Sequence, residues 1–194
     1  ITYTITYNDA ISFKESTLAK TDVTLNKTDT ADGVIDVDVG TGSSRTVTIS
    51  SITGDGTLGI SIAAGTASDT AGNTALGAGP STTFTADNTA PTVTINTPAA
   101  LAAVNGTQTL TFTVSDGTTE AQIDGAGWVA VTSGAAISTL NGWGVAGQGA
   151  ITVNLRSTDT AGNVGSANVS LTKDTIAPTV TSIDSPASGA TVLG

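Results

Sequence analysis

Two short motifs recur in the same order along this 194-residue chain, and this repeat constrains its fold more than any other feature. The sequence DTAGN occupies residues 69–73 and returns at 159–163. The sequence DNTAPTVT at 87–94 returns as DTIAPTVT at 174–181. Ordered repetition of this kind is typical of chains built from copies of one structural unit. We therefore predict one domain over residues 1–90, a second over 91–177, and the first strand of a following domain, or a donated strand, over 178–194.

Polar and apolar residues alternate with period two in much of the chain, as in residues 2–9 (TYTITYND) and 109–116 (TLTFTVSD). This period, together with abundant Thr and Gly, predicts half-buried β-strands and few helices. About seven short strands per unit, separated by Gly, Asn and Asp turns, are typical of a Greek-key sandwich. The predicted fold is all-β, with two tandem immunoglobulin-like β-sandwich domains. Expected strands in the second domain include residues 92–96, 128–131 and 136–140.

The first domain is expected to lack its own first strand. Residues 2–9 align with residues 109–116, which form the second strand of the second domain, whereas residues 178–194 match a first strand and its loop. The two ends are therefore complementary. We expect one period of a longer tandem array, or a subunit that donates its last strand to its neighbour; a chain cut at an arbitrary point is the alternative.

The DTAGN turn, followed by a last strand ending in DNTAPTV, resembles the bacterial immunoglobulin-like repeat domains of large surface adhesins and biofilm-associated proteins. Residues 54–58 (GDGTL) and 123–125 (IDG) followed by Trp128 are also similar to that family. The resemblance implies an extended stalk on a secreted or surface-attached protein, hence an extracellular location. It also implies Ca²⁺ bound at domain junctions by linker aspartates.

Composition excludes several functions. With 16 acidic and 6 basic residues, the net charge of -10 opposes binding to nucleic acid or anionic lipid. The chain has no Cys and no His, so it lacks thiol nucleophiles, disulfides and the usual general base. No apolar run reaches the roughly 18 residues that a membrane helix needs, so membrane insertion is not expected. The two Glu residues lie in separate units, and no catalytic cluster is apparent, so an enzyme is not expected.

Strand direction predicts a calcium site. In a sandwich, the ends of the second and sixth strands lie at the pole where the first strand enters, so the residues that follow those strands should meet. Ca²⁺ accepts about 6 to 8 oxygen ligands with flexible geometry, which suits Asp and Asn side chains. The expected ligands at the junction between the two domains are Asp87, Asn88, Asp116, Asp159 and Asn163. The matching set at the junction with the next copy is Asp174, Asp9, Asp69 and Asn73.

A simpler interpretation of DTAGN stays open, in which Asp and Asn bond the local backbone of a tight turn without any metal. The two tryptophans leave a further alternative. Trp128 is expected in the core, and Trp143 in a glycine-rich loop is expected either to anchor that loop or to stack on a sugar. The leading hypothesis is a Ca²⁺-stiffened structural repeat that assembles end to end with copies of itself; the alternative is a module that binds a glycan or cell-surface target through Trp143, Trp128, Asn141 or Gln148.

Overall fold

The computed structural model describes residues 1–183, 189 and 191. The chain is all-β, as predicted. It consists of two compact units, Ile1–Ala90 and Pro91–Gly194. In the described part of the chain, the helical segments are two single 3₁₀ turns, Lys20–Asp22 and Ile137–Thr139.

Unit 1 contains eight strands: β1 (Thr2–Thr6), β2 (Phe13–Ser16), β3 (Val23–Lys27), β4 (Asp32–Val37), β5 (Ser44–Thr53), β6 (Gly56–Ile62), β7 (Ala67–Asp69) and β8 (Phe84–Ala86). One sheet has the order β1-β5-β4, and a second has the order β3-β6-β8. The short strands β2 and β7 pair with each other in a separate two-stranded sheet.

The long hairpin of unit 1 runs from Gly56 to Ala86. Its two arms pair as β6 with β8, and bridges at Ile62–Ala78 and Ser68–Thr74 continue the pairing outward. The DTAGN motif of residues 69–73 therefore forms the tip of this hairpin. Period-two alternation on the two sheets directs one face of each into a shared core. That core consists of Leu18, Val23, Ala31, Ile35, Val47, Ile49, Leu58, Ile60, Ile62 and Ala86.

The described residues of unit 2 also form eight strands: β9 (Val93–Thr97), β10 (Ala103–Val104), β11 (Thr109–Val114), β12 (Thr118–Ile123), β13 (Val129–Ala130), β14 (Ala135–Ala136), β15 (Gly149–Thr158) and β16 (Val164–Lys173). The larger sheet has the order β10-β16-β15-β12-β13, and the smaller has the order β14-β11-β9. All pairs are antiparallel except β10 with β16, which is parallel. The second DTAGN motif again forms the tip of a hairpin, between β15 and β16.

The core of unit 2 lies between its two sheets. Phe112 and Leu110 enter it from the smaller sheet, and Val153 and Leu155 enter it from the larger. Its buried members are Val104, Leu110, Phe112, Ala121, Ile123, Ile137, Leu140, Ile151, Val153, Leu155, Val169 and Leu171. Each unit is thus a β-sandwich closed around its own apolar core.

Three details differ from the sequence-based prediction. Residues 136–140 were expected to form a strand, and this is wrong: β14 ends at Ala136 and a 3₁₀ turn follows. Strands β2, β7 and β10 were not anticipated. Residues 178–183, expected to begin a strand, carry no strand assignment, and most of the remaining predicted segment 184–194 lies outside the described residues.

Candidate functional site

The hairpin tip of unit 2 is organised by one carboxylate. Asp159 Oδ1 accepts hydrogen bonds from the backbone N–H groups of Gly162 and Asn163, both at 2.8 Å. Its Oδ2 accepts the side-chain amide of Asn163 at 2.9 Å. Gly162 has a φ of 96°, a conformation that glycine adopts without the steric cost paid by other residues. Asp159 is 8% exposed, so the turn encloses the carboxylate that orders it.

The hairpin tip of unit 1 has the same arrangement. Asp69 Oδ1 accepts the backbone N–H of Asn73 at 2.9 Å, and Asp69 Oδ2 accepts the Asn73 amide at 2.7 Å. In both tips the Asp backbone N–H donates to the Asn carbonyl at 3.1 Å. The two motifs therefore form the same hydrogen-bonded turn. The simpler interpretation of DTAGN, as a turn without a metal, accounts for its Asp, Gly and Asn residues.

These hydrogen bonds shift the acidity of both carboxyls. Burial acts to raise the pKa of Asp159, but the hydrogen bonds from Asn163 and from the turn backbone outweigh it and hold the pKa below its ordinary value. The side-chain and backbone hydrogen bonds of Asn73 likewise lower the pKa of Asp69. Both groups are consequently carboxylates at neutral pH, able to accept further donors or a cation.

The two linker aspartates also repeat one local geometry. Asp87 Oδ1 accepts the backbone N–H of Thr89 at 3.2 Å, and Asp174 Oδ1 accepts that of Ile176 at 3.1 Å. These are Asx turns that begin three residues before an Ala-Pro pair, and they set the direction of the chain into the proline. The linker aspartates therefore have a structural role in each repeat.

Asn88 and Thr89 form hydrogen bonds with a second turn of unit 1, at Gly54 and Asp55. The backbone N–H of Asn88 donates to Asp55 Oδ1 at 2.6 Å, and its side-chain amide donates to the Gly54 carbonyl at 2.7 Å. The Thr89 hydroxyl donates to Asp55 Oδ2. These donors lower the pKa of Asp55, with the Thr89 hydroxyl contributing most. No sequence signal identified this role of Asp55.

Asp9 and Asp116, which come after β1 and β11, lie near the hairpin tip of their own unit. In unit 1, Asp9 lines the same groove as Asp69 and Asn73, and its Oδ1 accepts the backbone N–H groups of Ile11 and Ser12. In unit 2, the Asp116 carbonyl accepts the hydroxyl of Ser157 at 2.6 Å, two residues before Asp159. Within the residues that the structure describes, no group of three or more acidic side chains is arranged to hold a metal ion.

A groove in unit 1 has a volume of about 440 Å³. Residues 5–9, at the end of β1 and beyond it, line one wall, and residues 74–78, which return from the hairpin tip, line another. Tyr7 and Phe13 stack within it with ring centroids 6.4 Å apart. The alternation of residues 2–9 predicted the strand, but no sequence signal identified the cavity beside it.

Trp143 anchors its loop, which was one of its two expected roles, whereas Trp128 does not lie in the core. Trp143 packs against the core of unit 2, and the ammonium of Lys173 lies 4.5 Å from its ring centroid while donating to two loop carbonyls. Trp128 was expected in the core, and this is wrong: it is half-buried beneath the guanidinium of Arg156, 4.4 Å from the ring centroid. The Asn141 amide donates to loop carbonyls, and Gln148 bonds Thr175.

Searches against protein-family models and against curated proteins return no match for this chain. Among the described residues, no helix has the length and apolar character needed to cross a membrane.

Proposed function

We propose that this chain is a structural repeat of an extracellular surface fibre or adhesin stalk, composed of immunoglobulin-like domains. The observation that carries the proposal is the repeated hairpin tip, in which residues 69–73 and 159–163 form the same hydrogen bonds in two separate sandwiches. Repetition of a rigid turn in successive units is expected of a mechanical spacer. Mechanical unfolding of single chains tests this role, with one unfolding event expected for each unit.

The strand order of unit 2 supports the immunoglobulin-like assignment. In that fold, the first, second and fifth strands share one sheet, while the third, sixth and seventh share the other. The small sheet β14-β11-β9 and the neighbours β16-β15-β12 of the large sheet correspond to these groups. Unit 1 has the corresponding groups β1-β5-β4 and β3-β6-β8, without a strand equivalent to β9 in its described residues. This supports the hypothesis of two related domains.

An extracellular location is consistent with the composition. The chain contains no Cys and no Met, the two residue types most readily oxidised. Each unit is stabilised by an apolar core and by hydrogen-bonded turns, which need no reducing environment. This composition suits a chain that persists outside the cell in a non-catalytic role.

Calcium binding beside the hairpin tips is part of the proposal. In unit 1, Asp9, Asp69 and Asn73 line one groove. In unit 2, Asp116 lies beside the strand end that leads to Asp159 and Asn163. Two carboxylates near each other repel, and Ca²⁺ would offset that repulsion while accepting further oxygens from backbone and water. Asp87, Asn88 and Asp174 remain further candidates as ligands.

Calorimetric titration of the EDTA-stripped chain with Ca²⁺ tests this part of the proposal. We expect saturable binding and a higher melting temperature, because a ligand of the folded state stabilises it by mass action. The Asp159→Ala variant should lose part of the heat and of the shift. Asp36→Ala, which removes an exposed acid on β4, is the matched control and should retain both. Equal responses of the two variants would remove Asp159 from the ligand set.

A second candidate function is glycan binding at the outer face of the larger sheet of unit 2. Trp128 and Arg156 stack there, and Glu120 accepts two hydrogen bonds from Arg156 at 2.9 and 2.8 Å. An indole beside paired charged groups is a surface on which a sugar can stack and form hydrogen bonds. Quenching of tryptophan fluorescence by polysaccharide, lost in Arg156→Ala and kept in Arg45→Ala, would favour this alternative.

A further inference from the structure

We infer that the outer face of the larger sheet of unit 2 binds an uncharged, extended polysaccharide, which lies across strands β12, β15 and β16. The inference rests on the second candidate function, for which it names the class of glycan and the residues that contact it. These residues form a row of three amide side chains, Gln122, Asn154 and Asn168, which we call the amide row. In the register of the sheet, Gln122 pairs with Asn154, and Asn154 pairs with Asn168.

The amide row points away from the core of unit 2. Val153 and Leu155, which flank Asn154 on β15, are fully buried, so Asn154 lies on the opposite face of the sheet. Strands β12 and β16 show the same alternation, in which Gln122 and Asn168 occupy outward positions. Three adjacent strands therefore present one amide each, in a line that crosses the strands.

Folding does not account for the two asparagines of the amide row. Asn is depleted in strands, because its side chain competes with the backbone for hydrogen bonds. Asn154 and Asn168 nevertheless lie opposite each other within two ten-residue strands. In the part of the chain that the structure describes, neither side chain forms a hydrogen bond. By contrast, Asn26 on the corresponding sheet of unit 1 donates to the Ser61 hydroxyl at 2.8 Å. A residue that local preference disfavours and that pairs with no other group is typical of a functional surface.

The loop after β12 fixes one end of the amide row. The Oε1 atom of Gln122 accepts the backbone N–H of Gly127 at 2.8 Å, so the NH₂ group of Gln122 remains as a donor. Trp128 follows Gly127 in this loop, and its ring centroid lies 4.4 Å from the guanidinium of Arg156. Arg156 is two residues from Asn154 on the same face of β15. The stack of Trp128 and Arg156 therefore borders the amide row and offers a flat surface against which a sugar ring can pack.

The charge of this face favours an uncharged glycan. On strands β12, β15 and β16, Glu120 and Arg156 are the charged residues that point outward, and they form an ion pair at 2.8 Å. The face therefore carries no net charge. The chain as a whole has a net charge of -10, which repels anionic polysaccharides. A neutral chain of sugars meets neither repulsion nor an unpaired charge on this surface.

The spacing of the amide row favours an extended chain. Side chains that lie opposite each other on adjacent strands have Cβ atoms about 4.5–5.5 Å apart. This spacing is close to the length of one sugar in an extended β-1,4-linked chain. Each amide supplies both donors and an acceptor, which the hydroxyl groups of one sugar can satisfy. Three consecutive sugars therefore span the row, whereas a monosaccharide contacts one amide.

Calorimetric titration of the whole chain with cellohexaose and chitohexaose, two neutral β-1,4-linked probes, tests the inference. We expect saturable binding of at least one of them. Oligomannuronate of the same length is also β-1,4-linked but carries a carboxylate on each sugar, and it should bind roughly tenfold more weakly or not at all. Failure of both neutral probes to bind, or equal binding of the charged probe, would overturn the inference.

A double variant, Asn154→Ala with Asn168→Ala, tests the location of the site. It should bind the neutral probe about tenfold more weakly, because the hydrogen bonds of two side chains are lost. Asn96→Ala, which removes an exposed amide from β9 on the smaller sheet, is the matched control and should bind normally. Circular dichroism checks that each variant is folded. Equal binding by the double variant and the control would contradict a site at the amide row.

The outcomes also separate this inference from the functions proposed above. Binding that Arg156→Ala removes but the double variant retains would keep the glycan candidate and reject the amide row. Failure of both neutral probes would reject the inference alone, because the glycan candidate is not restricted to neutral β-1,4-linked chains. Dimerisation in sedimentation velocity that the double variant abolishes would assign this face to a second copy of the chain and would also overturn the inference. None of these results would alter the unfolding of the two units under force, which tests the stalk hypothesis.

Discussion

Replacing Gly165 by alanine should selectively destabilise unit 2. Gly165 lies on β16, and an added Cβ would come within 1.7 Å of the Pro91 carbonyl oxygen and 2.8 Å of its carbonyl carbon. Real Cβ atoms do not approach backbone atoms so closely, and a backbone carbonyl cannot rotate aside as a flexible side chain can. The start of β9 must therefore move away from β16, which weakens its packing on the core.

The expected cost follows from overpacking. Inserting a methyl group into a tightly packed site costs about 1–3 kcal/mol, and the backbone contact places Gly165→Ala towards the upper part of that range. For a unit of about 100 residues, each kcal/mol lowers the melting temperature by roughly 4–8 °C. The shift should therefore be readily measurable.

Urea unfolding followed by tryptophan fluorescence measures this cost directly, because Trp128 and Trp143 both lie in unit 2. Gly144→Ala is the matched control: no heavy atom lies within 4 Å of a Cβ placed there, so the variant should unfold almost as the unaltered chain does. If Gly165→Ala is as stable as Gly144→Ala, β9 does not pack against β16 as described.

Three further predictions concern the core, the turns and the buried cation. Leu155→Ala should lower the stability of unit 2 by about 2–5 kcal/mol in the same fluorescence assay, because Leu155 is fully buried; Leu76→Ala, which alters a leucine that is 89% exposed, should change little. The pKa of Asp159 is lower in the folded chain than in the unfolded chain, so its contribution to stability is present above about pH 4 and is lost as the pH falls through the folded value. The melting temperature should therefore fall on acidification, and less steeply in Asp159→Asn; identical slopes would contradict this. Arg45, only 3% exposed, donates to Asp38 and to the Ser16 hydroxyl, so Arg45→Met should reduce the stability of unit 1, by calorimetry, more than Lys14→Met, which removes an exposed cation.

The strands with clear alternation were predictable from the sequence, because period two places one face in the core. The structure of residues 136–140 was not predictable in this way. Ile137 and Leu140 are three residues apart, which is also the period of a 3₁₀ turn, and that turn buries both side chains. The short strands β2 and β7 were not predicted, because they are four and three residues long and a register shift between Phe13 and Glu15 interrupts their pairing. Local composition alone cannot show such interruptions.

The role of the DTAGN acids shows the limit of spacing arguments. Strand direction predicts that Asp9 lies near the tip of its own unit, and Asp9 lines the same groove as Asp69 and Asn73. It does not reveal that both oxygens of Asp69 and of Asp159 already accept hydrogen bonds within the turn. The hydrogen bonds of the turn therefore explain the repeated acid without a cation.

Single-molecule force spectroscopy on chains pulled by their two ends tests the central claim most directly. The account predicts two separate unfolding events, each releasing on the order of 300 Å of chain, since about 90 residues extend by roughly 3.3–3.6 Å each. Addition of Ca²⁺ should raise the unfolding force of at least one unit. Extension without resistance, or a single event that releases the whole chain, would contradict a stalk built from independently resisting repeats.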